Sequence, residues 1–326
     1  MNAFPINNII RSVDRVQDPK SKLHILTMCK NDEKYISLLA QTKHNFYILP
    51  HTPWNSLIED RPSNVYPLTP LSPPIDYVIC YDRAEQYDEI LILTKQFQVP
   101  LILVDMCSKS LIRPQHLLEA MHDIDLNHFN RKATLHVYSD THIAQSWTTD
   151  GIDLSQIIPI GIDIDKFQNM ERDLYPIAIK TGIALDNNTV PHVGAILGSV
   201  INNIQPIFPT DHENKTITVN TTKYFINTSK HITIKTLEAM AAESIAICLN
   251  TPDTANCIQH QETGWLLNDL NELPNALTSL ENSDELRIKI ATQARQHIIA
   301  NHSLKKFVSQ WLESLNMLRG AIYHPT

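Results

Sequence analysis

Thr233, Lys235 and Glu238 place a hydroxyl, an ammonium and a carboxylate within six residues of one another. The first two are groups that bind phosphate oxygens. A carboxylate can accept two hydrogen bonds from the neighbouring hydroxyls of a ribose ring. The surrounding pattern puts all three on one element. Residues 224–226 are an aromatic and β-branched run that reads as a buried strand. Asn227, Thr228 and Ser229 are turn and cap residues. Residues 236–244 carry good helix formers, with Leu237, Met240 and Ala241 on one face, and residues 245–249 are a second short apolar run. Strand, capped helix and strand make one βαβ unit of a parallel sheet. The start of such a helix offers backbone N–H groups and partial positive charge to an anion. Glu238 has a blander reading on spacing alone, in which it only favours the first helical turn electrostatically.

Composition narrows the classes of function. The chain has 326 residues, long enough for two domains, and 43% of them are hydrophobic, enough for a core in each. A formal net charge of −8 argues against gripping nucleic acid chiefly by phosphate neutralisation. The first residues lack a continuous apolar segment and carry Arg11, Asp14 and Arg15, so no secretory signal is expected, and no run has the length of a membrane-spanning helix. The five cysteines are odd in number and show no C-x-x-C spacing. Reduced thiols and a cytoplasmic setting are expected. The 15 histidines are scattered with no H-x-x-x-H or H-E-x-x-H pairing, so no metal ligand set is expected.

Taken in order, residues 1–21 read as a peripheral lead-in. Strands are expected at 23–28, 45–49, 76–80, 100–104 and 135–139, and helices at 32–41, 84–97, 114–129 and 141–147. The proline-rich stretch 62–74 is expected to break regular structure. Asp105 closes the fourth strand at its carboxyl end, where parallel sheets bind ligands, and it equally serves to terminate the strand. The second half offers strands at 175–179 and 204–208, a helix from Asn188 to Val200, and helices at 272–280, 283–301 and 304–318.

The residues also resemble a known family. Residues 236–242, TLEAMAA, are similar to the "LLEAMA-G" helix of the retaining, family-four (group 1) glycosyltransferases of GT-B fold. Residues 257–267 resemble their "E-I-I-E-H-G-x-N-G-F-L-V" segment. Asn227, Thr228 and Ser229 with residues 232–234 resemble the "N-T-S-x-x-S-P-I-P" version of phage and bacterial members. Residues 158–167 are similar to "I-P-N-G-I-D-x-x-x-F", and residues 33–55 to "E-R-Y-x-x-L-L-x-x-T-G-H-x-F-Y … W-N" of the same subgroup. The likeness is dense over 139–167 and 224–315. It implies two Rossmann-like domains facing across a cleft, 1–165 on the acceptor side and 166–302 on the donor side. A C-terminal helix and tail, 303–326, would cross back to the first domain.

The same resemblance implies a retaining, metal-independent hexosyl- or pentosyltransferase with a nucleotide-sugar donor and no cofactor. Glu238 would hold the ribose. Thr233, Lys235, Ser229, Lys230 and Lys180 would stand along the phosphates, Lys180 as the basic residue in the loop after the first strand of the second domain. Asp105 would stand near the acceptor, which could be a glycan, a small molecule or a modified DNA base. The pattern is broken in places. Lys230 stands where relatives carry an acid, and Met106 and Cys107 where many place a histidine. Lys43 and Glu243 occupy family glycine positions, and only 7 glycines occur in the chain. These departures leave open a second class of function, a silent GT-B protein that binds a nucleotide sugar or a partner without turnover.

Overall fold

The computed structural model describes residues 16–27, 33–56, 58–81, 92–94, 97–108, 135–147, 154–167, 183–185, 206–207, 220 and 222–320. The chain divides into two compact units. One comprises Met1–Pro159 with Lys305–Thr326, the other Ile160–Leu304.

In the first unit, β1 (His24–Thr27), α1 (Glu33–Ala40), β2 (Asn45–Ile48), β3 (Val65–Pro67), β4 (Tyr77–Tyr81), β5 (Leu101–Asp105), β6 (Leu135–Tyr138), α2 (Thr141–Trp147) and β7 (Ser155–Ile157) follow in turn. The seven strands form one sheet in the order β3-β2-β1-β4-β5-β6-β7, and every pair is parallel. All residues of β4 and β5 are buried. A strand covered on both faces has to be apolar throughout, which is why residues 77–81 and 101–104 read as continuous hydrophobic runs. The proline-rich stretch is not wholly irregular: β3 lies within it. Pro67 lacks an N–H, and β3 sits on the sheet's edge, where a missing donor leaves no ladder bond unmade. The expected helix at 114–129 lies outside the described residues, as does most of that at 84–97.

In the second unit, β8 (Ile183–Leu185), β9 (Pro206–Ile207), β10 (Tyr224–Asn227), α3 (Ile234–Ala241), β11 (Ile245–Leu249), α4 (Pro252–Cys257), β12 (Trp265–Leu267), α5 (Leu273–Glu281) and α6 (Asp284–Asn301) follow. Its sheet runs β12-β11-β10-β8-β9, again all parallel. Ile183, Tyr224, Ile247, Leu277 and Ile290 share one core between sheet and helices. The strand expected at 175–179 and the helix expected from Asn188 lie outside the described residues. The chain enters this unit beside the point where it leaves. Ile162 bridges Ser303 in parallel, and the Ile162 N–H donates to the His302 carbonyl at 2.7 Å. The last helix, α7 (Leu304–Met317), returns to the first unit. Its Phe307 ring meets Tyr35 of α1 edge-on at 5.7 Å. Just beyond it, the Arg319 guanidinium takes the carbonyls of Val16, Asp18 and Ser21.

Among the described residues, four non-glycine residues have positive φ: Lys43 (66°), Gln98 (52°), Glu243 (61°) and Gln261 (61°). Lys43, Glu243 and Gln261 all stand where the family motifs have glycine. Glu243 closes α3 in a Schellman arrangement, with its own N–H on the Met240 carbonyl and the Ser244 N–H on the Ala239 carbonyl. The backbone geometry therefore persists without the residue that makes it cheap. Gly264 is retained for a different reason. A Cβ there would lie 2.8 Å from Ile258 and 2.9 Å from the Ala246 carbonyl oxygen. Glu243→Gly and Gln261→Gly are each expected to add about 1 kcal/mol of stability, a rise of roughly 2–4 °C in melting temperature. Gly264→Ala is expected to lower it, and calorimetry on the three variants checks all of them.

His44, at the start of β2, is buried, and its Nδ1 accepts the Leu23 N–H at 3.3 Å. Burial, helped by the charges of Arg319 and Lys22, pulls its pKa down from 6.5 to about 4. Between those values the unfolded chain binds the extra proton, so the contribution is complete above about pH 6.5 and is lost as pH falls towards 4. Denaturant titrations should show roughly 3 kcal/mol of stability disappearing over that window, and His44→Gln should flatten the slope.

Candidate functional site

The segment from β10 to α3 follows from one buried side chain. Asn227 is the last residue of β10 and is buried. Its Oδ1 accepts the Ser229 N–H at 2.7 Å, while its Nδ2 donates to the His231 carbonyl at 3.1 Å and to Thr236 Oγ1 at 3.0 Å. The loop therefore wraps around an amide that uses both of its donors and its oxygen. A second brace comes from the next crossover. Thr251, the N-cap of α4, donates its hydroxyl to the Lys230 carbonyl at 2.7 Å. The loop that carries Ser229, Lys230 and Thr233 is thus held from both sides.

Helix α3 begins at Ile234, two residues earlier than its apolar periodicity suggests, with Thr233 as N-cap. Thr233 Oγ1 accepts the Thr236 N–H at 3.3 Å and lies 3.0 Å from Thr236 Oγ1. Thr236 Oγ1 accepts from Asn227 Nδ2, and either threonine hydroxyl can be the donor in the contact between them. The cap satisfies one of the orphan donors of the helix.

Lys235 is the second residue of α3 and half-buried, and Lys230 is exposed in the loop before it. No acidic residue stands in the first turn. A cation in that turn works against the helix dipole, by about 0.3–1 kcal/mol. An anion bound there would reverse the sign of that contribution. Glu238 is the fifth residue of α3 and only 6% exposed. It therefore lies beyond the first turn, where dipole effects fade.

The fold places this segment at a carboxyl edge beside a topological reversal. From β8 the sheet runs one way to β9 and the other way to β10, β11 and β12. Parallel sheets bind ligands in the crevice outside such a point. Ser229, Lys230, Thr233, Lys235 and Glu238 all lie on this segment. Lys180 lies outside the described residues. It precedes β8, the first described strand of this unit, whereas the expected basic residue follows its strand. Asp105 belongs to the other unit. It ends β5, is buried, and its carbonyl accepts the Ser139 N–H at 3.2 Å. Sequence reasoning used Asn227 as a turn residue and part of a family motif, gave Thr236 only a place in the helix, and passed over Thr251. The asparagine at a strand end followed by threonines before and within the next helix was the available signal.

Residues 204–313 match the family model described as glycosyl transferase-like, a span that contains the whole β10–α3 segment. No curated protein sequence matches the chain. Solved structures do. HepE of Anabaena, crystallised with UDP-glucose, superposes with a TM-score of 0.67 at 13% identity, covering 91% of this chain and 100% of that one. Sucrose-phosphate synthase from Thermosynechococcus elongatus gives 0.68 at 12% identity, covering 92% and 100%.

The fold is GT-B.

A third GT-B structure, the α,α-trehalose 6-phosphate synthase of Burkholderia multivorans, gives 0.61 at 12% identity, covering 92% of this chain and 99% of that one. At such identities the likeness is one of architecture, and the chemistry of this GT-B chain rests on its own residues. Its loop before α3 has no glycine and is rigid for another reason: Asn227 and Thr251 hold it. Asn227→Ala should therefore strand the Ser229 N–H and the Thr236 hydroxyl. A loss of about 2–3 kcal/mol is expected in chemical denaturation, with near-normal secondary structure by circular dichroism.

Proposed function

We propose that this chain transfers a sugar from a nucleotide-sugar donor, with the β10–α3 segment as the seat of the donor's diphosphate and ribose. The observation that supports it best is the first turn of α3. It combines the positive end of a helix, Lys235 in that turn, Lys230 in the preceding loop and the hydroxyl of Thr233, with no acidic residue in the turn. An anion bound there would be favoured by the helix end and by both cations. Glu238, one turn deeper, would accept the two ribose hydroxyls, and Ser229 would line the phosphates with Thr233. Lys180 would add charge from the same unit.

The chemical role follows from that electrostatics. Cleaving the bond between the sugar and the diphosphate leaves negative charge on the departing group. Lysines and helix-end N–H groups already in place stabilise that charge without rearranging in the transition state. No metal or cofactor is invoked for this step, and retention at the anomeric carbon is part of the proposal. Asp105 would stand on the acceptor side, near the hydroxyl that attacks. HepE is recorded with UDP-glucose, so uridine diphosphate sugars head the panel of donors.

A ligand that binds only the folded chain raises its melting temperature, by about 2.7 kcal/mol of stabilisation at a hundredfold excess over Kd. UDP-glucose or another nucleotide sugar should do so. Glu238→Gln should bind it at least tenfold more weakly while melting within about 2 °C of the unaltered chain, as loss of hydrogen bonds to a charged group dictates. Release of nucleoside diphosphate from the bound donor, with the product anomer read by NMR, tests transfer and retention. Lys230, in place of an acid, favours one other reading, a binder without turnover. Tight binding of nucleotide sugars with no release over days would select it, and no binding of any member of the panel would sink both.

A further inference from the structure

Three side chains that play no part in the β10–α3 segment converge elsewhere in the second unit. Cys257 is the last residue of α4, His297 lies in the last turn of α6, and His302 is the C-cap of α6. One ligand atom from each lies within 4.8 Å of the other two, and all three residues are half-buried. Cys257 Sγ is 3.9 Å from His297 Nε2, and the two imidazole rings are 5.8 Å apart between centroids. From this geometry we propose that Cys257, His297 and His302 form a binding site for a borderline transition-metal ion of the zinc class, with a fourth position open to water.

The distances are close to what such an ion imposes. Bonds of about 2.3 Å to sulfur and 2.0–2.1 Å to nitrogen in a tetrahedron set ligand atoms about 3.3–3.6 Å apart. The three atoms need to close by about 1 Å, a rotamer adjustment rather than a change of fold. The ligand chemistry fits as well: one thiolate with two imidazoles suits zinc or cobalt and not magnesium or calcium.

The surroundings orient the ligands. His302 Nδ1 lies 3.0 Å from the Ile160 carbonyl. A carbonyl can only accept, so Nδ1 carries the proton and the lone pair sits on Nε2. A backbone acceptor behind a histidine is the usual device for presenting its other nitrogen to a metal. The site also closes the C-terminus of an 18-residue helix whose last turn contains no lysine or arginine. The partial negative charge there favours a cation. The four residues between His297 and His302 fall within the usual H-x(3–5)-H range; a search limited to a three-residue gap misses them, and the third ligand is 40 residues away in sequence. Binding would exchange the Cys257 proton for the ion, M²⁺ + R–SH giving R–S–M⁺ + H⁺, and would tie the end of α4 to the end of α6.

Cobalt(II) and zinc(II) serve as probes on the full chain after chelator treatment. Cobalt titration should produce a sulfur-to-cobalt charge-transfer band in the near ultraviolet that saturates at one equivalent and is displaced by zinc. Cys257→Ser should abolish the band, and His302→Ala should weaken binding at least tenfold. Zinc should slow alkylation of Cys257 in the unaltered chain at least tenfold, read residue by residue by mass spectrometry. That last measurement needs no variant, so it decides the matter even if a substitution impairs folding. No charge-transfer band, a band that survives in a folded Cys257→Ser chain, or alkylation of Cys257 at the same rate with and without zinc would each overturn the proposal. The pair would then be a simple N–H to sulfur contact.

Discussion

Asn227 ends β10 with a side chain that cannot reach water, so its amide has to find partners within the protein. It does so by holding one N–H, one carbonyl and one hydroxyl of the next ten residues. An unmet buried amide costs more than any one of these contacts contributes, and the path of the loop follows from that asymmetry. The same contacts tie Thr236, in the first turn of α3, to the end of β10. The arrangement of groups at the head of α3 is thus a by-product of satisfying one interior side chain. Rigid presentation of donors of this kind is what electrostatic stabilisation of a leaving group requires.

The opposite end of α3 is fixed as firmly. The Arg295 guanidinium from α6 takes the Ala241 carbonyl, together with those of Phe167 and Ile164. A cation at a helix C-terminus is favourable, so the helix is compensated at its tail, while its first turn holds Lys235 and no acidic residue. These charges belong to side chains far apart in sequence.

Much of this architecture is legible in the chain. Strands covered on both faces betray themselves as unbroken apolar runs, and β4, β5, β10 and β11 are of that kind. The N-caps of α3 and α6 are less plain: Thr233 caps α3 where the sequence offers Asn227, Thr228 and Ser229, and Ser283 precedes α6 although the pattern reads it as the first residue of the helix. What escapes is governed by partners distant in sequence. Residues 65–67 form a strand because an edge position tolerates proline, and β7 has only three residues, alternately exposed. The burial of Glu238 depends on packing that one helix's periodicity does not show. The convergence of Cys257 with His297 depends on how α4 meets the end of α6. Lys43, Glu243 and Gln261 mislead in a particular way: a turn that normally announces itself by glycine persists without it. The motif looks damaged in letters while the backbone keeps its shape.

The pairing of Ile162 with Ser303 has an architectural consequence. Both ends of the second unit emerge side by side, so the piece from Ile160 to Leu304 hangs from its host by two adjacent threads. A module attached in this manner can be grafted, excised or permuted without rerouting the polypeptide around it. Exchange of the whole module for another of the same shape is therefore mechanically simple.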